Sequence, residues 1–153
     1  MSGSGLEFNA PDLGNAANIN LGALLREAAN AVVSTAQLSF ISASTPTGAA
    51  WPALAPATVA RRRKGSNSPL RDTGRLMNSL MVSEPYSAGN GVAIDAGSNV
   101  EYSALHNFGG MAGRGKKVKI PARQFLADPD NLPDDLAVEL LEIAARHVAK
   151  DFS

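Results

Sequence analysis

Apolar side chains at three- and four-residue spacing mark both ends of the chain as helical. Leu21, Leu24, Leu25, Ala28, Val32 and Ala36 recur this way, and Phe40 and Ile41 close the same face, which predicts a helix over residues 20–43. Asn20 stands where an N-cap belongs, and Pro46 and Gly48 end the element. Leu136, Leu140, Ile143, Ala144 and Val148 predict a second amphipathic helix over 134–152. Pro133 opens it, and Asp134 and Asp135 fall in its first turn, where carboxylates suit the helix dipole.

Between these helices the period changes. Val92, Ile94 and Ala96 alternate with Ala93 and Asp95, which predicts a strand over 91–97. Residues 80–87 form a second strand candidate, joined to the first through Gly89-Asn90-Gly91, a turn where left-handed backbone angles cost little. Pro85 places that strand at an edge. Short helices are expected from Pro56 to Lys64 and from Asp72, as N-cap, to Leu80. Residues 100–108 read as a short helix or turn. Residues 65–69 and the glycine- and lysine-rich 109–118 read as loops, the latter mobile. Residues 1–19 lack any clear period and are expected to form a flexible N-terminal arm outside a single domain over 20–153. The predicted class is α+β, with two long terminal helices packed on a small antiparallel β-sheet and short connecting helices.

Composition narrows this picture. The chain has 153 residues, 44% of them hydrophobic but only 5% aromatic, so Leu, Val, Ile and Ala carry most of the core. Without cysteine there is no disulfide and no thiolate metal site. Met1-Ser2-Gly3-Ser4-Gly5 lacks the basic and apolar regions of a secretory signal. No apolar run approaches the roughly 18 residues of a membrane span. A soluble protein made in the cytoplasm, with no membrane partner, is the expectation. The net charge is zero but uneven: residues 61–123 carry eleven basic and four acidic side chains, and residues 124–153 carry two basic and seven acidic. Ordinary solvated faces explain this, and so does basic-to-acidic contact between neighbouring copies.

The candidate chemistry is thin. His106 and His147 lie in different elements, and neither has a second strong metal ligand at helical spacing. Ser103, His106 and Asp95 supply the residue types of a hydrolytic triad, but no Gly-x-Ser-x-Gly elbow accompanies them. The glycines at 109, 110, 113 and 115 are not followed by the Gly-Lys-Ser/Thr of a phosphate loop. The expectation is a non-enzyme with no catalytic residue, cofactor or metal. Two basic clusters stand out: Arg61, Arg62, Arg63 and Lys64, and Arg114, Lys116, Lys117 and Lys119. They are candidates for contact with a partner or with passing DNA in a channel. Neither is interleaved with aromatics or set on a recognition helix, so a small nucleic-acid-binding protein is the alternative reading.

Four short motifs in order carry a resemblance. They are Trp51-Pro52-Ala53-Leu54 with Thr58; Leu70-Arg71-Asp72-Thr73-Gly74-Arg75-Leu76 with Ser79; Tyr102-Ser103-Ala104-Leu105-His106-Asn107-Phe108-Gly109; and Ile120-Pro121-Ala122-Arg123-Gln124-Phe125-Leu126. The set resembles the phage virion morphogenesis family, also called tail-completion proteins, of contractile-tailed bacteriophages and prophages. The resemblance spans roughly residues 20–150. One departure is Asn107, where the family commonly has glutamine.

The resemblance implies a structural subunit at the head-proximal end of the tail, located in the virion and assembled in the bacterial cytoplasm. It would complete the tail or join it to the head as a tail terminator or neck component. It implies a homo-oligomeric ring, a hexamer by analogy, with connector, tube or sheath proteins as neighbours. Trp51, Pro52, Leu54, Thr73, Gly74, Leu76, Tyr102, His106, Phe108, Gly109, Pro121, Arg123, Phe125 and Leu126 are the candidate assembly or structural residues. Backbone geometry and packing explain most of them. Phe108 is expected to bury its ring ahead of a left-handed Gly109, Phe125 and Leu126 to enter the core, and Arg123 to pair with a carboxylate.

Overall fold

The computed structural model describes residues 5–10, 20–62 and 65–151. Its helices are α1 (Leu21–Ser42), α2 (Pro56–Arg61), α3 (Arg75–Asn78), α4 (Ser103–Phe108) and α5 (Asp134–Asp151). Its strands are β1 (Gly5–Ala10), β2 (Leu80–Val82), β3 (Tyr86–Ala88), β4 (Gly91–Ser98), β5 (Gly110–Ala112) and β6 (Val118–Ile120). The fold is α+β, with antiparallel pairing throughout the named strands.

β4 is the middle of the main sheet. β1 pairs along one side of it, from Gly5 opposite Gly97 to Ala10 opposite Val92. β2 and β3 lie end to end along the other side, with Val82 opposite Ala96 and Tyr86 opposite Ala93. The strand expected over 80–87 is therefore broken at Ser83-Glu84-Pro85. Pro85 has no N–H to give the ladder, and the break falls on an edge, where proline is tolerated. Residues 5–10, expected within a flexible arm, instead complete the sheet. Residues 1–4 and 11–19 of that arm lie outside the described residues.

α1 is the central beam. Asn20 caps it, its side-chain oxygen accepting from the Ala23 N–H at 3.0 Å. One side of α1 packs Leu25 and Ala29 on Ile94 and Ala96 of the sheet. Another packs Ala31 and Val32 on Leu136 and Ile143 of α5. Being covered on two sides explains why alanines 28, 29, 31 and 36 are all buried: small residues let both layers approach. Glu27 ties α5 to α1, accepting from Arg146 at 2.7 Å and facing His147 Nε2 at 2.8 Å. Two residues assigned to the inner faces point elsewhere. Ile41 is 60% exposed and Val148 is 38% exposed.

The third core cluster lies at the C-terminal end of α1. The helix stops at Ala43, whose backbone is left-handed and whose N–H bonds back to Ser39. The chain reverses, and Trp51 N–H donates to the Ala43 carbonyl at 2.8 Å. That returns Trp51 edge-on to Phe40, with ring centroids 5.6 Å apart, while Phe40 also meets Phe125 at 4.9 Å. Leu76, Leu80, Val100 and Leu126 fill the remainder.

Two local expectations change. The helix placed over 72–80 is only Arg75–Asn78, and its cap position is Gly74 at φ 77°, not Asp72. Thr73 Oγ1 accepts from the Arg75 N–H at 3.3 Å in Asp72's place. The segment 109–118, expected as a mobile loop, is largely the β5–β6 hairpin, with Met111 opposite Lys119 and Ala112 opposite Val118. Gly113 (φ 79°), Gly115 (φ 72°) and Lys116 (φ 51°) turn it, so the glycines serve a tight reversal.

Candidate assembly site

The four motifs, scattered over 75 residues of sequence, close on one another in space. Trp51 donates its indole N–H to the Gln124 carbonyl at 2.8 Å. Arg123 donates Nε–H to the Pro52 carbonyl at 2.8 Å and Nη2–H to the Ala53 carbonyl at 3.0 Å. The Arg123 backbone N–H meets the His106 carbonyl at 2.8 Å. The Asn107 side-chain oxygen accepts from both Phe125 N–H (2.9 Å) and Leu126 N–H (3.1 Å). Arg75 stacks over the Tyr102 ring at 5.7 Å. Trp51, Leu76, Phe125 and Leu126 share one buried cluster.

Each bond answers a local need. Residues 121–127 run without helix or strand through the interior, so their amides have no ladder to join. Asn107 supplies the acceptor for two of them. Arg123 is only 5% exposed, and it meets backbone carbonyls where a carboxylate was expected. Its guanidinium pins the loop after Trp51. Burial, with Arg62 nearby, lowers its pKa from the usual arginine value. Gly109 is required by space: at φ 73°, a Cβ there would lie 2.8 Å from the Ala122 nitrogen.

At the end of β4, Ser79 donates to the Leu76 carbonyl at 2.6 Å and lies 2.6 Å from Ser98 Oγ. Its single proton is spent on Leu76, so Ser98 donates to Ser79 and accepts from the Val100 N–H at 3.1 Å. The relay fastens α3 to the sheet.

Beside this knot lies a cleft of about 220 Å³ lined by Arg62, Asp72, Arg75, Tyr102 and His106, among others. His106 sits edge-on to Tyr102, with centroids 5.7 Å apart, and its Nδ1 is buried without a hydrogen-bond partner. Burial, then the charges of Arg123 and Arg62, push its pKa below the usual histidine value. The imidazole lies beside guanidinium groups, and its Nδ1 is not hydrogen-bonded to any group that would orient it as a general base. Among the described residues, no three of His, Cys, Asp and Glu are placed to hold a metal.

The remaining candidates fall into three places. Leu54, Gly74 and Pro121 are half-buried, supporting the knot, while Pro52 and Thr73 contribute from the surface. Phe108 overturns its expected burial: its ring is 69% exposed. The backbone turn at Gly109 leaves Phe108 on the outer face of α4. The first basic cluster is split. Arg61 is exposed at the end of α2, while Arg62 turns inward and donates Nη1–H to the Ser68 carbonyl. Arg63 and Lys64 lie outside the described residues. Arg114, Lys116, Lys117 and Lys119 are all exposed on the β5–β6 hairpin.

Sequence reading missed the central role of Asn107 and the pairing of His147 with Glu27. His147, three residues after Ala144 on the buried face, was within helical reach of α1.

Fold and site together define a small α+β protein whose motifs hold backbone geometry. The model of the phage virion morphogenesis family matches residues 9–149, and the chain belongs to that family. Over 59 residues it is 52% identical to the Mu-like prophage FluMu G protein 2 of Haemophilus influenzae, a stretch covering 39% of each chain. That match spans about two-fifths of the relative's length. No solved structure matches the fold. Family membership gives the chain a structural role in phage virion morphogenesis and associates it with the virion. Among the described residues, no helix is long and apolar enough to cross a membrane.

Proposed function

We propose that this chain is a structural subunit of the bacteriophage neck or tail end, which completes the tail or joins it to the head by forming a ring. One observation carries the reading: residues from all four motifs close into a single internal knot, while Phe108 and apolar and charged groups outside the motifs face solvent. Met111, Val118 and Phe108 are 48%, 55% and 69% exposed around the hairpin, and Val138 and Leu141 are 54% and 71% exposed on α5. Exposed large apolar side chains grouped on one element suit association. The family's role in virion morphogenesis, and a relative from a Mu-like prophage, fit a tail protein.

The hairpin cations favour a second reading, contact with DNA passing through the ring. Tails assembled without the protein test the first. Adding purified protein should cap their ends with a ring visible by electron microscopy. A protein that never joins such tails, and binds DNA with a steep salt dependence, would replace the neck assignment with nucleic-acid binding.

A further inference from the structure

Two surfaces of the chain carry apolar side chains without cover, and their charges are opposite. The first is the β5–β6 hairpin. Among the named elements it packs chiefly on α4. A two-stranded hairpin is marginal in water unless another layer covers it. Met111 and Val118 are both exposed, on opposite faces of the ribbon, and Arg114, Lys116, Lys117 and Lys119 are exposed along the same hairpin. None of these four cations has an ion pair or side-chain hydrogen bond among the described residues.

The second surface is the outer face of α5. Its inner face is Leu136, Leu140 and Ile143, packed on α1. Val138, Leu141, Ala145 and Val148 recur at three- and four-residue spacing on the exposed side. This is a second apolar stripe, which a solvent-facing helix does not need. Asp135, Glu139 and Glu142 follow the same helical spacing beside it, exposed and likewise unpaired among the described residues.

We infer that the β5–β6 hairpin of one copy docks on the outer face of α5 of the next copy. Val118, with its cross-strand partner Ala112 on the same face of the ribbon, would cover the stripe of Val138, Leu141 and Ala145, and Lys116 and Lys117 would meet Glu139 and Glu142. Apolar centres with complementary charged borders give such a contact both energy and register. The two surfaces differ, so the contact is head-to-tail, and a head-to-tail contact closes into a ring when its rotation permits. The inference rests on the assembly reading above and names the surface that reading requires.

The test is charge reversal followed by double reversal, read by light scattering and by electron microscopy of tails supplied with each protein. Lys116→Glu/Lys117→Glu and Glu139→Lys/Glu142→Lys should each weaken self-association about tenfold or more. Circular dichroism should show both variants folded, since all four side chains are exposed. The chain carrying all four reversals restores the charge pairing and should associate again. If the wild type assembles and either pair of reversals leaves assembly unchanged, the docking surface is wrong and the ring reading survives. The surface is also wrong if both reversals abolish assembly and the fourfold variant does not recover. If the wild type assembles neither alone nor on tails, the ring reading falls, and this interface with it.

Discussion

The knot and the hairpin share one stretch of chain, residues 102–126, which the knot joins to Trp51 and Leu76, yet they solve opposite problems. In the knot, Asn107 Oδ1, Arg123 Nε and Nη2, and Trp51 Nε1 each meet a backbone partner. On the hairpin, a few residues away, four cations are exposed and two apolar side chains are about half exposed. The knot closes its hydrogen bonds within one copy, and the proposed docking leaves the hairpin to be covered by another. Residues that make the chain recognisable as a family member lie mostly in the first region. Residues proposed to meet a partner lie in the second, where the pattern reads as ordinary loop.

Substitutions should separate the two regions, the knot through stability and the hairpin through assembly. Phe125→Ala empties the space between Phe40 and Leu126 and should cost about 3–5 kcal/mol in chemical denaturation. Asn107→Ala orphans two buried N–H groups, at about 1–3 kcal/mol each, and should lower the melting temperature more than Asn107→Ser. Gly109→Ala drives a methyl against Ala122 at a left-handed residue and should cost about 1–3 kcal/mol. Lys116→Glu/Lys117→Glu should change stability by less than about 0.5 kcal/mol while suppressing assembly. An unfolded charge-reversal variant, or a Phe125→Ala protein of undiminished stability, would break the contrast.

Acid offers a finer probe. His106 is held neutral in the native state, so the unfolded chain binds more protons as the pH falls below 6.5. Native stability is therefore full above that value and declines toward the lower native pKa. The decline should vanish in His106→Asn. Glu27, lowered from 4.5 by the hydrogen bonds from His147 and then Arg146, acts in a separate window. Its contribution is present above 4.5 and is lost as the pH falls through its native value. Titration of stability in the two variants His106→Asn and Glu27→Gln separates the windows.

Much of the fold was legible because long periodic segments leave strong signals. α1, α5 and the β3–β4 turn at Gly89-Asn90 follow directly from apolar spacing and turn chemistry. β1 was missed although Leu6 and Phe8 alternate with Glu7 and Asn9, because the surrounding glycine and asparagine masked a six-residue pattern. The hairpin was missed because its strands are three residues each and its glycines, needed for positive φ, look like a flexible loop. Motif membership found Trp51, Arg123 and Phe125 but not their partners. That Arg123 binds Pro52 and Ala53 carbonyls, 71 and 70 residues away, depends on a tertiary crossing that no local pattern encodes.

Amide hydrogen exchange, on the free protein and on the protein assembled into tails, tests the contrast most directly. The Phe125 and Leu126 amides should exchange slowly in both states, at the rate of global unfolding. Residues 110–120 should exchange fast in the free chain and become protected on assembly, together with the outer face of α5. A hairpin as protected as the knot in the free chain, and unchanged in the assembled tail, would contradict the claim that one region is complete alone and the other is completed by its neighbour.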